Sequence, residues 1–159
     1  FHLVLRIGEL KALKWSDIHG NFIRIQRFVN DKNEVVEDIK GHAAAGRRNM
    51  PLTPSAKRIL EQLRVLNPDG EYILIRNGQP LSTGTFNRHL KKCCEELGIE
   101  YRSSHKLRFS TASIMYKNGV KDTELQKLLG HTKLSMTQHY LRSIDGQEEL
   151  SEKMSSILG

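Results

Sequence analysis

With 159 residues, 38% of them hydrophobic and 27% charged, the chain is long enough for one domain with a sizeable core and too short for two. No apolar run approaches the roughly 20 residues that span a bilayer and no secretory signal opens the chain, so a membrane or exported protein is not expected. The net charge of +7 divides unevenly: residues 144–159 hold Asp145, Glu148, Glu149 and Glu152 against Lys153, a balance of −3, which leaves +10 on the other 143 residues. A body that basic suits a polyanionic partner, nucleic acid being the commonest, although a merely soluble basic protein fits charge alone equally well. The acidic tail would be repelled by phosphate and is better suited to contacting protein.

Phe1–Leu5 has neither a helix cap nor a start methionine and reads as a cut through a longer protein. Ile7, Leu10 and Leu13 predict a helix over 6–14, ending near Trp15. The period then changes. Phe22, Ile23, Ile25, Phe28 and Val29 predict a strand, Asn30–Asn33 a turn, Glu34–Lys40 a second strand, Gly41–Gly46 a loop and Arg47–Leu52 a third strand. Thr53 and Pro54 start a helix whose apolar face is Ile59, Leu60, Leu63 and Leu66. Tyr72–Ile75 is a short buried extended run. Helices are predicted over Ser82–Leu97 (Phe86, Leu90, Cys93, Cys94 and Leu97 on one side), 104–117, 122–129 and 133–142, with Gly119 and Gly130 as stops, and a weaker amphipathic one over 146–158. Cys93 and Cys94 are adjacent, which disfavours a mutual disulfide, and two sulfurs alone make no zinc site; they read as reduced side chains of a cytoplasmic protein. The fold class is α+β, predominantly helical, with a small three-stranded antiparallel sheet.

Four stretches concentrate residues able to handle an anion. Arg6 opens a helix, where a cation is mildly disfavoured unless a phosphate binds beside it. His105 and Arg108 are i and i+3 near another helix start, one face with free N–H groups. Gly130 lets His131 turn inward at a corner, and Tyr140 follows nine residues later. Taken singly, each has a bland explanation: His-x-x-Arg is most often solvated surface, and a tyrosine at a helix end is most often core or interface.

Together and in this order the stretches resemble the tyrosine recombinase (phage integrase) family. Arg6 in Leu5-Arg6-Ile7-Gly8-Glu9-Leu10 is similar to the first family arginine, with Glu9 as its acidic partner and Leu13–Asp17 continuing the pattern. Lys40 ends the strand where the family places its hairpin lysine, with Lys32 as the alternative, and Arg47-Arg48 before Met50–Thr53 resembles the strand that follows. His105 and Arg108 fit the His-x-x-Arg box, Leu128–His131 the Leu-Gly-His box, and Tyr140 the nucleophile's spacing. Two positions depart: Phe109 stands where a second histidine is frequent, and Val4 where glycine is frequent two residues before the arginine.

The resemblance implies a catalytic domain over 1–143, cut off from the family's N-terminal DNA-binding domain, and a protomer-contacting segment over 144–159. It implies site-specific cleavage and rejoining of double-stranded DNA by a homotetramer, with accessory proteins setting direction, in the cytoplasm and away from any membrane. A phosphodiester repels nucleophiles and gains charge in its transition state, which two guanidiniums, here Arg6 and Arg108, would neutralise. Tyr140 would attack, His105 would take its proton, Lys40 would protonate the departing 5′ oxygen and His131 would orient the phosphate. No metal or other cofactor is implied. The competing readings are a catalytically inactive DNA-binding relative, a type IB topoisomerase-like relaxing enzyme, and a metal enzyme using some of the seven histidines.

Overall fold

Hydrophobic spacing predicts a first helix over 6–14, but in the computed structural model, which describes residues 2–37, 47–76, 79–138 and positions 141, 154 and 156, helix α1 covers only Ile7–Lys11. The backbone beyond it is engaged elsewhere. Ile73 N–H donates to the Leu13 carbonyl (2.8 Å) and Trp15 N–H to the Glu71 carbonyl (3.2 Å), making an antiparallel bridge between Lys14 and Tyr72. Groups paired in this way are unavailable to a helical ladder.

A 3-10 turn over Trp15–Asp17 leads into strands β1 (Ile18–His19), β2 (Phe22–Ile25), β3 (Phe28–Val29), β4 (Val35–Val36) and β5 (Arg48–Pro51). The small three-stranded antiparallel sheet is present with a different membership from that expected. Its order is β1–β2–β5, while β3 and β4 pair with each other. Ile23 lies opposite both Ile18 and Met50, and Ile25 opposite Arg48. The expected first strand breaks at Gln26-Arg27 because Asp17 binds both side chains. Gln26 Nε2 donates to Oδ1 at 2.7 Å and Arg27 Nη1 to Oδ2 at 2.6 Å, whereas neighbours in an unbroken strand point to opposite faces. The Asp17–Arg27 pair is buried. Of the expected second strand, Val35–Val36 is found, and 38–40 lie outside the described residues.

The helices follow their local signals. α2 (Pro54–Leu66), α3 (Thr83–Glu96) and α4 (Ser104–Lys117) are capped by Thr53, Ser82 and Ser103, whose hydroxyls accept from the N–H of Ala56, Thr85 and Lys106. Short strands β6 (Ile75–Arg76) and β7 (Gln79–Pro80) pair between α2 and α3. α5 (Asp122–Leu129) follows, and residues 134–138 are helical again. The buried face of α2 is narrower than expected: Ala56 and Leu60 are buried, but Ile59 and Leu66 are 43% and 81% exposed. On α3, Cys94 is buried, while Cys93 is exposed and Leu97, just past the helix, is 72% exposed. The helix expected over 146–158 lies almost wholly outside the described residues, among which no helix is long and apolar enough to cross a membrane.

Two apolar clusters result among the described residues. The sheet and α2 enclose Leu5, Leu13, Ile23, Ile25, Met50, Leu52, Leu60 and Ile73, with Trp15 packed against them and the Arg64 guanidinium 4.8 Å above its indole ring. Val4, Ala112, Leu125, Leu129 and Leu141 form the second cluster. α1 docks on β3 so closely that a Cβ on Gly8 would sit 2.7 Å from the Val29 carbonyl oxygen. Gly8→Ala should therefore destabilise the protein by about 1–3 kcal/mol, the usual cost of overpacking, even though alanine is the better helix former by about 1 kcal/mol. Urea unfolding decides the sign, and a more stable variant would contradict the close approach.

Candidate active site

α1 starts at the seam between the clusters, since Val4 belongs to one and Leu5 to the other. Val4 takes φ 49°, a left-handed conformation that costs a residue with a Cβ roughly 1–2 kcal/mol. A glycine, frequent at this position in the family it resembles, would meet no such cost. In this conformation the Val4 carbonyl accepts a 3.0 Å hydrogen bond from Arg108 Nη1.

One turn further, Glu9 is 4% exposed and surrounded by cations. Arg48 grips both carboxylate oxygens, Nη1 to Oε1 at 3.1 Å and Nη2 to Oε2 at 2.8 Å. Arg6 donates from Nη1 to Oε1 (3.1 Å) and from its backbone N–H to Oε2 (2.9 Å), and Arg108 Nη1 lies 3.7 Å from Oε2. Burial by itself would raise the carboxyl pKa, but the hydrogen bonds and charge of Arg48, followed by those of Arg6, outweigh it and hold Glu9 below the usual range. It is ionised at neutral pH, so three guanidiniums and one carboxylate leave a local charge of +2.

The same arginines meet the C-terminal end of α5, whose last carbonyls have no helical donor and sit at the negative end of the helix dipole. Leu128 O accepts from Arg48 Nε (2.8 Å), Leu129 O from Arg108 Nη2 (2.6 Å) and Gly130 O, more weakly, from Arg6 Nη2 (3.5 Å). Gly130 ends the helix at φ 62°, with Gly130 N–H donating to Lys127 O and His131 N–H to Gln126 O, both 3.1 Å. This Schellman turn sends His131 inward, where it is 9% exposed. Its Nδ1 lies 2.9 Å from Thr137 Oγ1. Burial, then the charges of Arg108, Arg6 and Arg48, lower its pKa to about 4 against the opposing pull of Glu9, so the ring is neutral at pH 7.

Arg6, His105, Arg108 and Gly130 line one cavity of about 620 Å³, closed on another side by Asn30 and Asp31 of the β3–β4 turn. Arg6 reaches it with a half-exposed side chain, Arg108 from a nearly buried one, and His105 is exposed in the first turn of α4. Four expected site residues are thus gathered, three lining the cavity and His131 between two further lining residues, Gly130 and Thr132. Lys40 and Tyr140 lie outside the described residues; Lys32 is exposed in the β3–β4 turn. Sequence reasoning assigned no site role to Arg48 or Thr137. Arg48 was detectable, because it alternates with Met50 and Leu52 and so shares their inward face.

Arg48→Met would leave Glu9 short of its bidentate partner and should cost about 3–5 kcal/mol, as for one half of a buried pair. Arg48→Met/Glu9→Gln should lose much less than the two single changes combined. Urea unfolding of the four proteins measures the coupling, and additive losses would refute it. His131 gives a pH prediction. Its folded pKa is depressed, so the stability it contributes is complete above about pH 6.5 and is lost as pH falls towards about 4, roughly 3 kcal/mol in all. Between pH 7 and pH 4.5 the wild type should therefore lose more unfolding free energy than His131→Asn; equal losses would contradict the buried neutral ring.

A profile of the phage integrase family matches residues 2–147. The chain is 29% identical to the integrase of Escherichia phage HK022 over 147 residues, covering 90% of this chain and 39% of that protein. It is 33% identical to tyrosine recombinase XerA of Pyrococcus furiosus (87% and 46% covered) and 32% identical to tyrosine recombinase XerD of Listeria innocua (86% and 45%). The chain therefore spans about half, or less, of the curated relatives it matches. Its fold is similar to that of a XerA recombinase crystal structure (TM-score 0.70, 23% identity, 92% of this chain and 53% of the other) and of the Tn1549 transposon integrase (TM-score 0.73, 17% identity, 93% and 56%). With a profile match over nearly its whole length, the chain belongs to the phage integrase family, the tyrosine recombinases.

Proposed function

We propose that the chain is the catalytic part of a site-specific DNA recombinase that cuts and rejoins strands through a phosphotyrosyl bond, without a metal ion. The observation that carries this reading is the local charge of +2, with two of its three arginines, Arg6 and Arg108, opening on one cavity beside His105. A phosphodiester brings one negative charge and its pentacoordinate transition state about two, so the site is complementary to the transition state rather than the ground state. Relatives named integrase and tyrosine recombinase support the reading. So do fold neighbours solved with circular intermediate DNA, on a core site, and as a tetramer on a Holliday junction.

In this reading the Tyr140 oxygen attacks phosphorus as His105 takes the phenol proton, and Arg6 and Arg108 neutralise the non-bridging oxygens. The bond to the 5′ oxygen breaks, Lys40 supplies its proton, and a 3′-phosphotyrosyl link remains for the 5′-hydroxyl of another strand to attack. His131, neutral, donates to the phosphate and orients it. The partner is double-stranded DNA, the working form a homotetramer in which residues 144–159 contact a neighbouring protomer, and accessory proteins set direction.

Nicked, labelled DNA run on a denaturing gel tests the chemistry. Wild type should form a covalent adduct in excess chelator, and Tyr140→Phe should form none while binding DNA normally. Arg6→Ala and Arg108→Ala should each slow adduct formation at least about 10²-fold, and Lys40→Ala roughly 10²–10⁴-fold. A bridging 5′ sulfur departs as a thiolate, whose conjugate acid has a pKa of about 8.5, so it should rescue Lys40→Ala and neither arginine variant. An adduct in Tyr140→Phe would overturn the nucleophile, and rescue of a Lys32 variant instead would move the acid there.

A further inference from the structure

Thr137 stands outside every role assigned so far, yet it is completely buried and its hydroxyl is 2.9 Å from His131 Nδ1. That contact can be made in two ways. If Nδ1 carried the ring proton it would donate to Oγ1, and the hydroxyl's own proton would need a second acceptor. Among the described residues none is present: the hydroxyl does not take the carbonyl four residues back, as those of Ser110, Thr111 and Ser113 on α4 do. A buried hydroxyl proton left without a partner is the costlier arrangement. If instead the hydroxyl donates to a bare Nδ1, both groups are satisfied.

We propose that Thr137 is a positioning residue that donates to His131 Nδ1 and so fixes the ring as the tautomer with its proton on Nε2. The ring is not free to turn away from this contact, because it is 9% exposed and its backbone is anchored by the Schellman turn and by Gln126 Nε2, which donates to the His131 carbonyl at 3.2 Å. Nor does it escape by protonation. Arg108, Arg6 and Arg48 act on it against the opposing pull of Glu9, so the ring stays neutral near neutral pH. A proton fixed on Nε2 makes that nitrogen a hydrogen-bond donor whose direction the protein itself sets. The inference rests on the phosphate-handling reading only for its consequence in catalysis; the tautomer itself is a property of the protein alone.

The test separates the two. In ¹⁵N-histidine-labelled wild-type protein, with the His131 signals identified by their loss in His131→Asn, Nδ1 should show the shift of a bare nitrogen and Nε2 that of a protonated one from pH 6 to pH 8. A protonated Nδ1 overturns the proposal, whatever the cleavage assay shows. Thr137→Val should give averaged shifts from both tautomers and slow adduct formation about tenfold, the scale of one hydrogen bond, with DNA affinity unchanged. Thr137→Ser, which keeps the hydroxyl, should restore both the spectrum and the rate. A valine variant with wild-type shifts and rate would also overturn it. Absence of any adduct in the wild type would instead refute the recombinase reading and leave the tautomer standing.

Discussion

Three guanidiniums gathered around one carboxylate repel one another, and the arrangement of this protein follows from how that repulsion is offset. Glu9 supplies one negative charge at the centre, and the open end of α5 supplies three carbonyls in succession at the negative pole of a helix. The compensation is incomplete by design of charge: one carboxylate against three arginines. Arg48 turns inward, to Glu9 and Leu128, and of the three it is Arg6 and Arg108 that line the cavity. An anion entering there would complete a neutralisation that these four side chains leave unfinished.

The site also depends on where the chain divides its apolar residues. Consecutive residues, Val4 and Leu5, enter different clusters, so Arg6 emerges at the seam and α1 presents Glu9 between them. Arg108 reaches the same seam from α4, bound to the Val4 and Leu129 carbonyls and 3.7 Å from the Glu9 carboxylate. Charged side chains can be buried at this place because the arginines find carbonyl and carboxylate partners and Glu9 finds guanidiniums, the condition under which buried ions are tolerated.

Local signals carried much of the fold. The Ser and Thr caps, Pro54 and the Gly130 stop set the helix ends, and the inward turn of His131 was legible from the glycine before it. What misled was non-local. Leu13 to Trp15 have a helical pattern, but their backbone groups are claimed by 71–73, far along the chain. Gln26 and Arg27 look like strand residues until Asp17 binds both. Arg6, Glu9, His105, Arg108 and His131 were legible because order and spacing in the chain carry a family pattern. Thr137 was not, since a threonine on a short helix has the same appearance whether its hydroxyl serves the helix backbone or a neighbouring ring.

Trp15 is the chain's one tryptophan, and its place against the sheet cluster, with Arg64 over its ring, has a spectroscopic consequence. Its emission reports on the sheet and α2 and is blind to the cluster formed by Val4, Ala112, Leu125 and Leu129. Far-UV ellipticity, in contrast, draws on all the helices, and so includes α4 and α5, which carry Ala112, Leu125 and Leu129. Only the second of the two optical signals therefore samples the far side of the arginine seam. Coincident transitions would show the halves melting as one cooperative unit, and separated ones would show that the buried ion network is a hinge between two folding units rather than a weld.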